Sequence, residues 1–191
     1  RLLDFIMKII SGKLKGSKLI TPSGSSIRPT SIRAKEMIFN TLNSLISKEN
    51  KTYHDLSVID LFCGTGALGI EALSRGAKKS IFIDKSLYAL KLCKLNCKKF
   101  DLCMYTEIIE MDIVKDSILN NFFNADLFFC DPPYEDFHTE VLIKKLGEFT
   151  TKGSIGVIEL SKKSEIYNPK GFELITTKIV SNSKFYFLKA N

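Results

Sequence analysis

Histidine is scarce in this chain, and no C-x-x-C pair occurs. The 191 residues hold two histidines, His54 and His138, and five cysteines, Cys63, Cys93, Cys97, Cys103 and Cys130, none of them in a C-x-x-C spacing. No zinc or other metal site is expected from such a set. An odd number of unpaired thiols instead suggests buried free cysteines in a reducing, cytoplasmic setting. Long apolar runs are also missing. None approaches the ~20 residues needed to span a bilayer, so no membrane partner is expected. The six residues before Met7, "RLLDFI", are too short for a secretory leader, lack a cleavage pattern and read as a start-site remnant. There is no internal repeat and no low-complexity tract. What remains suits one globular, soluble domain with a sizeable core and a small appendage. No exposed apolar repeat points to a second copy, so a monomer is expected.

Charge is present, and its placement says more than its size. The formal net charge is +7. Residues 1–35 carry eight Lys/Arg against one acid, Asp4, and the other residues carry twenty of each sign. The whole excess lies on the first 35 residues. A basic end on an otherwise neutral domain is an electrostatic footprint for a polyanion, although a solvated arm that aids solubility would have the same composition.

The hydropathy pattern divides the chain at about residue 30. Residues 8–20, "KIISGKLKGSKLI", hold two short strand-like runs around Gly12 and Gly16, which predict a small hairpin or extended arm with its lysines outward. Residues 21–30 read as a loop. From Ser31 the apolar residues recur at a helical period, with Thr30 or Ser31 placed to cap. From residue 57 strands and helices alternate. "SVIDLF", "SIFID", "YTEIIEMD", "ADLFFC" and "SIGVIEL" read as strands. Between them "ALGIEALSR", ended by Gly76, "SLYALKLCKLNCKKF", capped by Ser86, and "DFHTEVLIKKLGEF", opening at Asp136, read as helices. Alternation of this kind predicts an α/β fold with a mostly parallel sheet covered on both faces. "FELITTKIV" and "KFYFLKA" are separated by only a few polar residues, so they predict a closing antiparallel pair. The expected organisation is a basic arm or hairpin over 1–29 and an α/β domain over 30–191.

Two motifs carry chemistry. The first is "DLFCGTGALGIEA", in which Gly64-x-Gly66-x-x-Gly69 follows a strand and opens a helix. Glycines there permit a tight turn and close approach of backbone to a ligand. A dinucleotide would place its pyrophosphate on the helix N-terminus, but Asp60 at the strand end would repel it. A carboxylate suits a ligand with an ammonium or sulfonium group, such as S-adenosyl-L-methionine. Alternatively, Asp60 only pins the loop by accepting backbone N–H bonds. Asp84 ends the second strand, where a carboxylate can take ribose hydroxyls. Asp112 ends the third and could accept from an adenine amino group, with Ile113 beside the ring. Each could also be an ordinary loop acid, but four acids, Asp60, Asp84, Asp112 and Asp131, close four successive strands at the edge where such sheets bind ligands.

The second motif is Asp131-Pro132-Pro133-Tyr134, directly after the fourth strand. Two successive prolines stiffen the segment and hold it extended. Pro132 offers a carbonyl and no N–H, and Asp131 adds a carboxylate, so two rigid acceptors can grip both hydrogens of an exocyclic amine. A nucleobase amine is a poor nucleophile because its lone pair is delocalised into the ring. Holding its hydrogens orients that lone pair toward a methyl donor, by positioning and without a strong base. Tyr134 supplies a face for a base that is unpaired or flipped out, with stacking worth roughly 1–3 kcal/mol. The alternative is a turn that simply ends a strand, with Tyr134 in the core or at its rim.

With "KIISGKLKGSKLITPSGSSIRPTSIRAKEMIFNTL" (8–42), "DLFCGTGALGIEALSRG" (60–76) and "DPPY" (131–134) in this order, the chain resembles the RsmD-type 16S ribosomal RNA guanine-N2-methyltransferases, class I S-adenosylmethionine-dependent enzymes. The glycine segment and the tetrapeptide are shared with other amino-methylating enzymes; the "RPTSIRAKEMIFN" block after a basic arm is the more specific mark. The resemblance implies a seven-stranded, Rossmann-like class I sheet and methylation of N2 of guanine 966 in 16S ribosomal RNA of the small ribosomal subunit. It implies that Gly64, Gly66, Asp84 and Asp112 hold the methyl donor, that Asp131 and Pro132 hold the guanine amine, and that Tyr134 stacks on the base. Lys13, Lys15, Arg28 and Arg33 would approach RNA phosphates. One departure is visible: Asp84 is followed by Lys85-Ser86-Leu87, where many relatives carry a second acid.

Three other readings compete. An adenine-N6 methyltransferase acting on DNA or RNA would use the same amine clamp. A nucleotide-cofactor oxidoreductase is disfavoured by Asp60. A non-catalytic RNA-binding factor is difficult to reconcile with the intact clamp of Asp131 to Tyr134, and a binding role could coexist with catalysis. His54 and His138 have no evident chemical role.

Overall fold

The computed structural model describes residues 7–22, 31–116, 124–133 and 139–191. Helix α1 (Ile32–Lys48) starts where Ser31 Oγ accepts from the Ala34 N–H at 3.1 Å, which satisfies one of the orphan donors of the first turn. Its residues Ile38, Phe39, Leu42 and Ile46 are buried at helical spacing. Strands β1 (Ser57–Leu61), β2 (Lys79–Asp84), β3 (Thr106–Glu110), β4 (Ala125–Cys130), β5 (Thr150–Ser161), β6 (Phe172–Val180) and β7 (Ser183–Ala190) form one seven-stranded sheet in the order β3-β2-β1-β4-β5-β7-β6. β1 to β5 run parallel, and β7 pairs antiparallel with both β5 and β6. The crossovers between parallel strands include α2 (Ala67–Ser74), α3 (Leu87–Lys99) and α4 (Thr139–Phe149). This is the seven-stranded, mostly parallel α/β sheet with an antiparallel last strand that the pattern predicts. The predicted opening of the last helix at Asp136 lies outside the described residues.

The central strands are buried on both faces, as a parallel sheet under helices requires. Val58, Phe82, Leu127, Phe129, Val157 and Phe187 point to the face covered by α1, α2 and α3. Ile59, Ile83, Phe128, Ile158 and Leu188 point to the other, where α4 contributes Leu142, Ile143, Leu146 and Phe149. No helix among the described residues is long and apolar enough to cross a membrane. Four of the cysteines are buried and Cys103 is exposed; all five are free. Burial pushes the Cys130 thiol well above its usual range.

The basic arm is part of this core. Its hairpin is closed by an antiparallel bridge between Lys8 and Lys18, and Met7, Ile9 and Leu19 pack into the α1–α3 layer. Polar bonds fasten it to α2. Glu71 Oε2 accepts from the Ile10 N–H at 2.8 Å and Oε1 from the Ser11 N–H at 3.0 Å. Ser74 Oγ accepts from the Leu14 N–H, and the Ser74 carbonyl accepts from the Lys13 N–H. The approach is so close that a Cβ on Gly12, whose φ is +79°, would lie 1.9 Å from the Ser74 carbonyl oxygen. Lys35 of α1 donates to the Lys8 carbonyl at 2.7 Å and lies 3.3 Å from Glu71 Oε2, with both side chains shut off from solvent. Arg75 completes the cluster, its Nε 3.0 Å from Glu71 Oε1 and its guanidinium 4.4 Å over the Phe39 ring. The exposed lysines of the hairpin, Lys13, Lys15 and Lys18, face outward as their spacing predicts.

Candidate active site

Strand order reverses between β1 and β4, and in an open α/β sheet that switch point, outside the carboxyl ends of the strands, is where ligands bind. The four acids of the sequence pattern gather along this edge, Asp60 in β1, Asp84 at the end of β2, Asp112 two residues beyond β3 and Asp131 directly after β4.

The loop from Phe62 to Gly66 turns by leaving ordinary backbone space. Gly64 and Gly66 have φ of 54° and 80°, and Phe62 is left-handed as well, at 58°. An aromatic residue in that region is uncommon and costs of order 1 kcal/mol or more, so the surrounding bonds must over-determine it. They do: the Cys63 N–H donates to the Ile83 carbonyl at 3.0 Å, and the Gly64 N–H to Asp84 Oδ2 at 2.9 Å. A Cβ on Gly66 would lie 2.7 Å from Cys93 Sγ, so the loop is seated on α3 with no room for a side chain.

Asp60 is 2% exposed, and its Oδ2 accepts from the Gly69 N–H at 2.9 Å. This is the loop-pinning bond that the sequence leaves open beside a ligand role. Burial, set against that bond and reinforced by nearby Asp84, raises the carboxyl to a pKa of about 8.

Asp84 holds both ends of a turn: besides Gly64, the Ser86 N–H donates to its Oδ1 at 2.9 Å. Ser86 in turn caps α3, its Oγ accepting from the Ala89 N–H. A carboxylate has about four acceptor positions, so two remain for hydroxyls. Asp112 Oδ1 accepts from the Val114 and Lys115 N–H groups, and Ile113 beside it is buried. On β4, Cys130 is in register with Leu61, and the Asp131 N–H donates to the Leu61 carbonyl at 3.3 Å. Asp131 is half-buried, Pro132 buried and Pro133 exposed. Tyr134 and Arg28 lie outside the described residues; Arg33 is exposed in the first turn of α1.

Sequence reasoning missed Glu71, Ser74 and Asn96. Asn96 of α3 accepts from the Ile20 N–H at 2.7 Å and donates both to the Ile20 carbonyl and to the Thr65 carbonyl of the glycine loop. One side chain thus joins the arm to the loop. A charged Glu71 within the otherwise apolar "ALGIEALS" was the available signal. Asn96 gave none, because an amide in a lysine-rich helix reads as exposed. His54, without a chemical role in the sequence, packs against Gly76, where a Cβ would lie 2.5 Å from its ring.

Carboxylates at the ends of the first three strands, a glycine loop with left-handed backbone and an Asp-Pro at the end of the fourth, on a sheet whose last strand is antiparallel, define the class I S-adenosylmethionine-dependent methyltransferase fold. Residues 7–189 match the family described as "Conserved hypothetical protein 95". The chain is 31% identical over 184 residues to the ribosomal RNA small subunit methyltransferase D of Haemophilus influenzae, covering 92% of this chain and 91% of that one. It therefore belongs to this family, the RsmD-type methyltransferases. Among solved structures, yhhF from Escherichia coli superposes with a TM-score of 0.79 over 96% of this chain and 97% of its own, at 22% identity. SMU.776, solved in complex with SAH, superposes with a TM-score of 0.57 over 79% of this chain and 48% of its own, at 15% identity.

Proposed function

We propose that this chain transfers a methyl group from S-adenosyl-L-methionine to N2 of a guanine, guanine 966, in 16S ribosomal RNA of the small subunit. The observation that carries this reading is the bond between the Asp131 N–H and the Leu61 carbonyl. It fastens the Asp-Pro-Pro segment to the strand that leads into the glycine loop, so the amine-binding and donor-binding segments share one anchor.

The residues present fit the donor. Asp84 keeps acceptor capacity for two ribose hydroxyls beyond its bonds to Gly64 and Ser86, and Asp112 with Ile113 offers a carboxylate beside an apolar surface. Gly64 and Gly66 keep the loop free of side chains, and Asp60 lies beneath it. S-adenosylmethionine, when bound, supplies an electrophilic methyl group on a sulfonium. The Asp131 carboxylate and the Pro132 carbonyl accept the two hydrogens of the guanine amine and orient its lone pair. Tyr134 stacks on the flipped base. After transfer the amine proton leaves to solvent, and no strong base is needed. Lys13, Lys15, Arg28 and Arg33 meet RNA phosphates. The division into a basic arm over 1–29 and a methyltransferase domain over 30–191 belongs to the same reading, as do action as a monomer and a place in the cytoplasm.

The test is methyl transfer from labelled S-adenosylmethionine to unmodified small subunits and, separately, to naked 16S RNA, followed by digestion and mass spectrometry of the nucleosides. N2-methylguanosine is the expected product. N6-methyladenosine would keep the clamp and overturn the substrate.

A further inference from the structure

Helix α3 and the residue before its cap carry five lysines, Lys85, Lys91, Lys94, Lys98 and Lys99, and no acid. All five are exposed. Lys91, Lys94 and Lys98 follow one another at spacings of three and four residues, so they share one face of the helix and repel each other along it. Among the described residues none of the ion pairs includes them. Lys98 and Lys99 in the last turn complement the helix dipole, but Lys85 at the opposite end is set against it. Helix stability therefore does not account for the set.

Exposed apolar side chains stand between these lysines on the same helix. Leu87 is 66% exposed, Tyr88 50% and Leu95 42%. The surface begins at the ligand-binding edge, because α3 starts three residues after Asp84. It runs about 20 Å along the 13 residues of the helix. It then continues onto the arm, where Lys99 Nζ donates to the Lys18 carbonyl at 2.7 Å and exposed Lys13, Lys15 and Lys18 extend it. Lysines interleaved with an exposed aromatic ring, on a helix that itself carries no acid, complement a nucleic-acid strand: ammonium groups meet phosphates, and a ring can carry an unpaired base.

We infer that the outer face of α3, from Lys85 and Tyr88 to Lys98, is a second RNA-binding surface that guides the strand flanking the target nucleotide between the active edge and the basic arm. The surface rests on the reading of this chain as an RNA methyltransferase and adds contacts that the glycine loop, the amine clamp and the arm do not supply.

Three variants of the full chain test it. The first combines Lys85→Gln, Lys91→Gln and Lys94→Gln, leaving Lys99 to hold the arm. The second replaces the same three by Arg. The third combines Lys144→Gln, Lys152→Gln and Lys170→Gln, exposed lysines outside α3 and the arm that remove equal charge. Binding to unmodified 16S RNA is measured across a salt series, beside SAH affinity and methyl-transfer kinetics. Each lost phosphate contact lowers the log–log salt slope by roughly 0.7–0.9. The first variant is expected to lose about two to three in slope and to raise KM for RNA about tenfold or more, with kcat and SAH affinity unchanged. The arginine variant should retain the wild-type slope, and the third variant should lie close to wild type. An unchanged slope in the first variant, or an equal loss in the third, would overturn the α3 surface while leaving the methyltransferase reading intact. Wild-type protein that binds SAH but neither binds nor methylates 16S RNA would overturn both.

Discussion

The ammonium of Lys35 and the carboxylate of Glu71 lie 3.3 Å apart with side-chain exposures of 2% and 0%, between a hairpin, two helices and no water-facing surface. Burial lowers the Lys35 pKa, and the Glu71 charge works against that shift. Removing one partner leaves the other charge buried without its counterpart, which commonly costs 3–5 kcal/mol. Glu71→Gln is therefore expected to lower unfolding stability by about that amount, although the side chain keeps its size. Urea denaturation checks it. The double variant Glu71→Gln, Lys35→Met should recover part of the loss, because the orphaned ammonium is gone.

Asp60 should make the protein less stable as pH rises. Its carboxyl is raised in the folded state, so between about pH 4 and pH 8 the folded chain keeps a proton that the unfolded chain has released. The contribution is complete below the unfolded pKa and lost as pH climbs through the folded one. Stability is therefore expected to slope downward with pH across that window. Asp60→Asn keeps an oxygen for the Gly69 N–H and should remove this slope. Denaturation at half-unit pH steps on both proteins would settle it.

Asp131→Ala deletes the carboxylate acceptor of the amine clamp and leaves the glycine loop in place. Loss of one preorganised electrostatic partner of a reacting group commonly costs 10²–10³ in rate, and kcat is expected to fall by about that factor or more. SAH affinity, read by calorimetry, should stay within about twofold. Wild-type turnover in this variant would remove Asp131 from the proposed chemistry.

Neutralising Lys13, Lys15 and Arg28 together should weaken binding to 16S RNA and flatten its salt dependence, because each phosphate contact releases counterions on binding. A slope equal to that of the unaltered chain would make the arm a solubilising segment.

Much of the fold was legible because local signals agreed with one another. Ser31 and Ser86 sit at the predicted helix starts with their side chains accepting from Ala34 and Ala89. The few residues between "FELITTKIV" and "KFYFLKA" allow only an antiparallel pair, and β6 and β7 form one. Strand ends were less legible. β5 begins at Thr150, directly after α4: Thr150 pairs with Ala125 across a register shift, where Ser154 Oγ donates to the Ala125 carbonyl and accepts from the Thr151 N–H. Thr151-Lys152-Gly153 alone reads as a turn. At the candidate site, the acids and glycines were visible because carboxylates at strand ends are recognisable by position. The bond from Gly69 to Asp60 was open as one of two readings, but Gly64 to Asp84 and Asn96 to Thr65 were hidden, since they join residues whose spacing in sequence carries no pattern. Phe62 is a further case: nothing in "DLFCG" marks an aromatic residue for left-handed backbone.

The seating of the hairpin limits how far the chain can be shortened. Deleting residues 7–20 would not release a tidier catalytic core. It would strip the arm's hydrogen-bond partners from Glu71, Ser74 and Asn96, leaving Glu71 with Lys35 and Arg75 and Asn96 with Thr65, and open the apolar surface that Met7, Ile9 and Leu19 cover. Minimal fragments for crystallisation, domain grafts and fusion partners joined at this end should therefore keep the chain from Met7 onward, and a tag placed upstream should be joined by a flexible spacer.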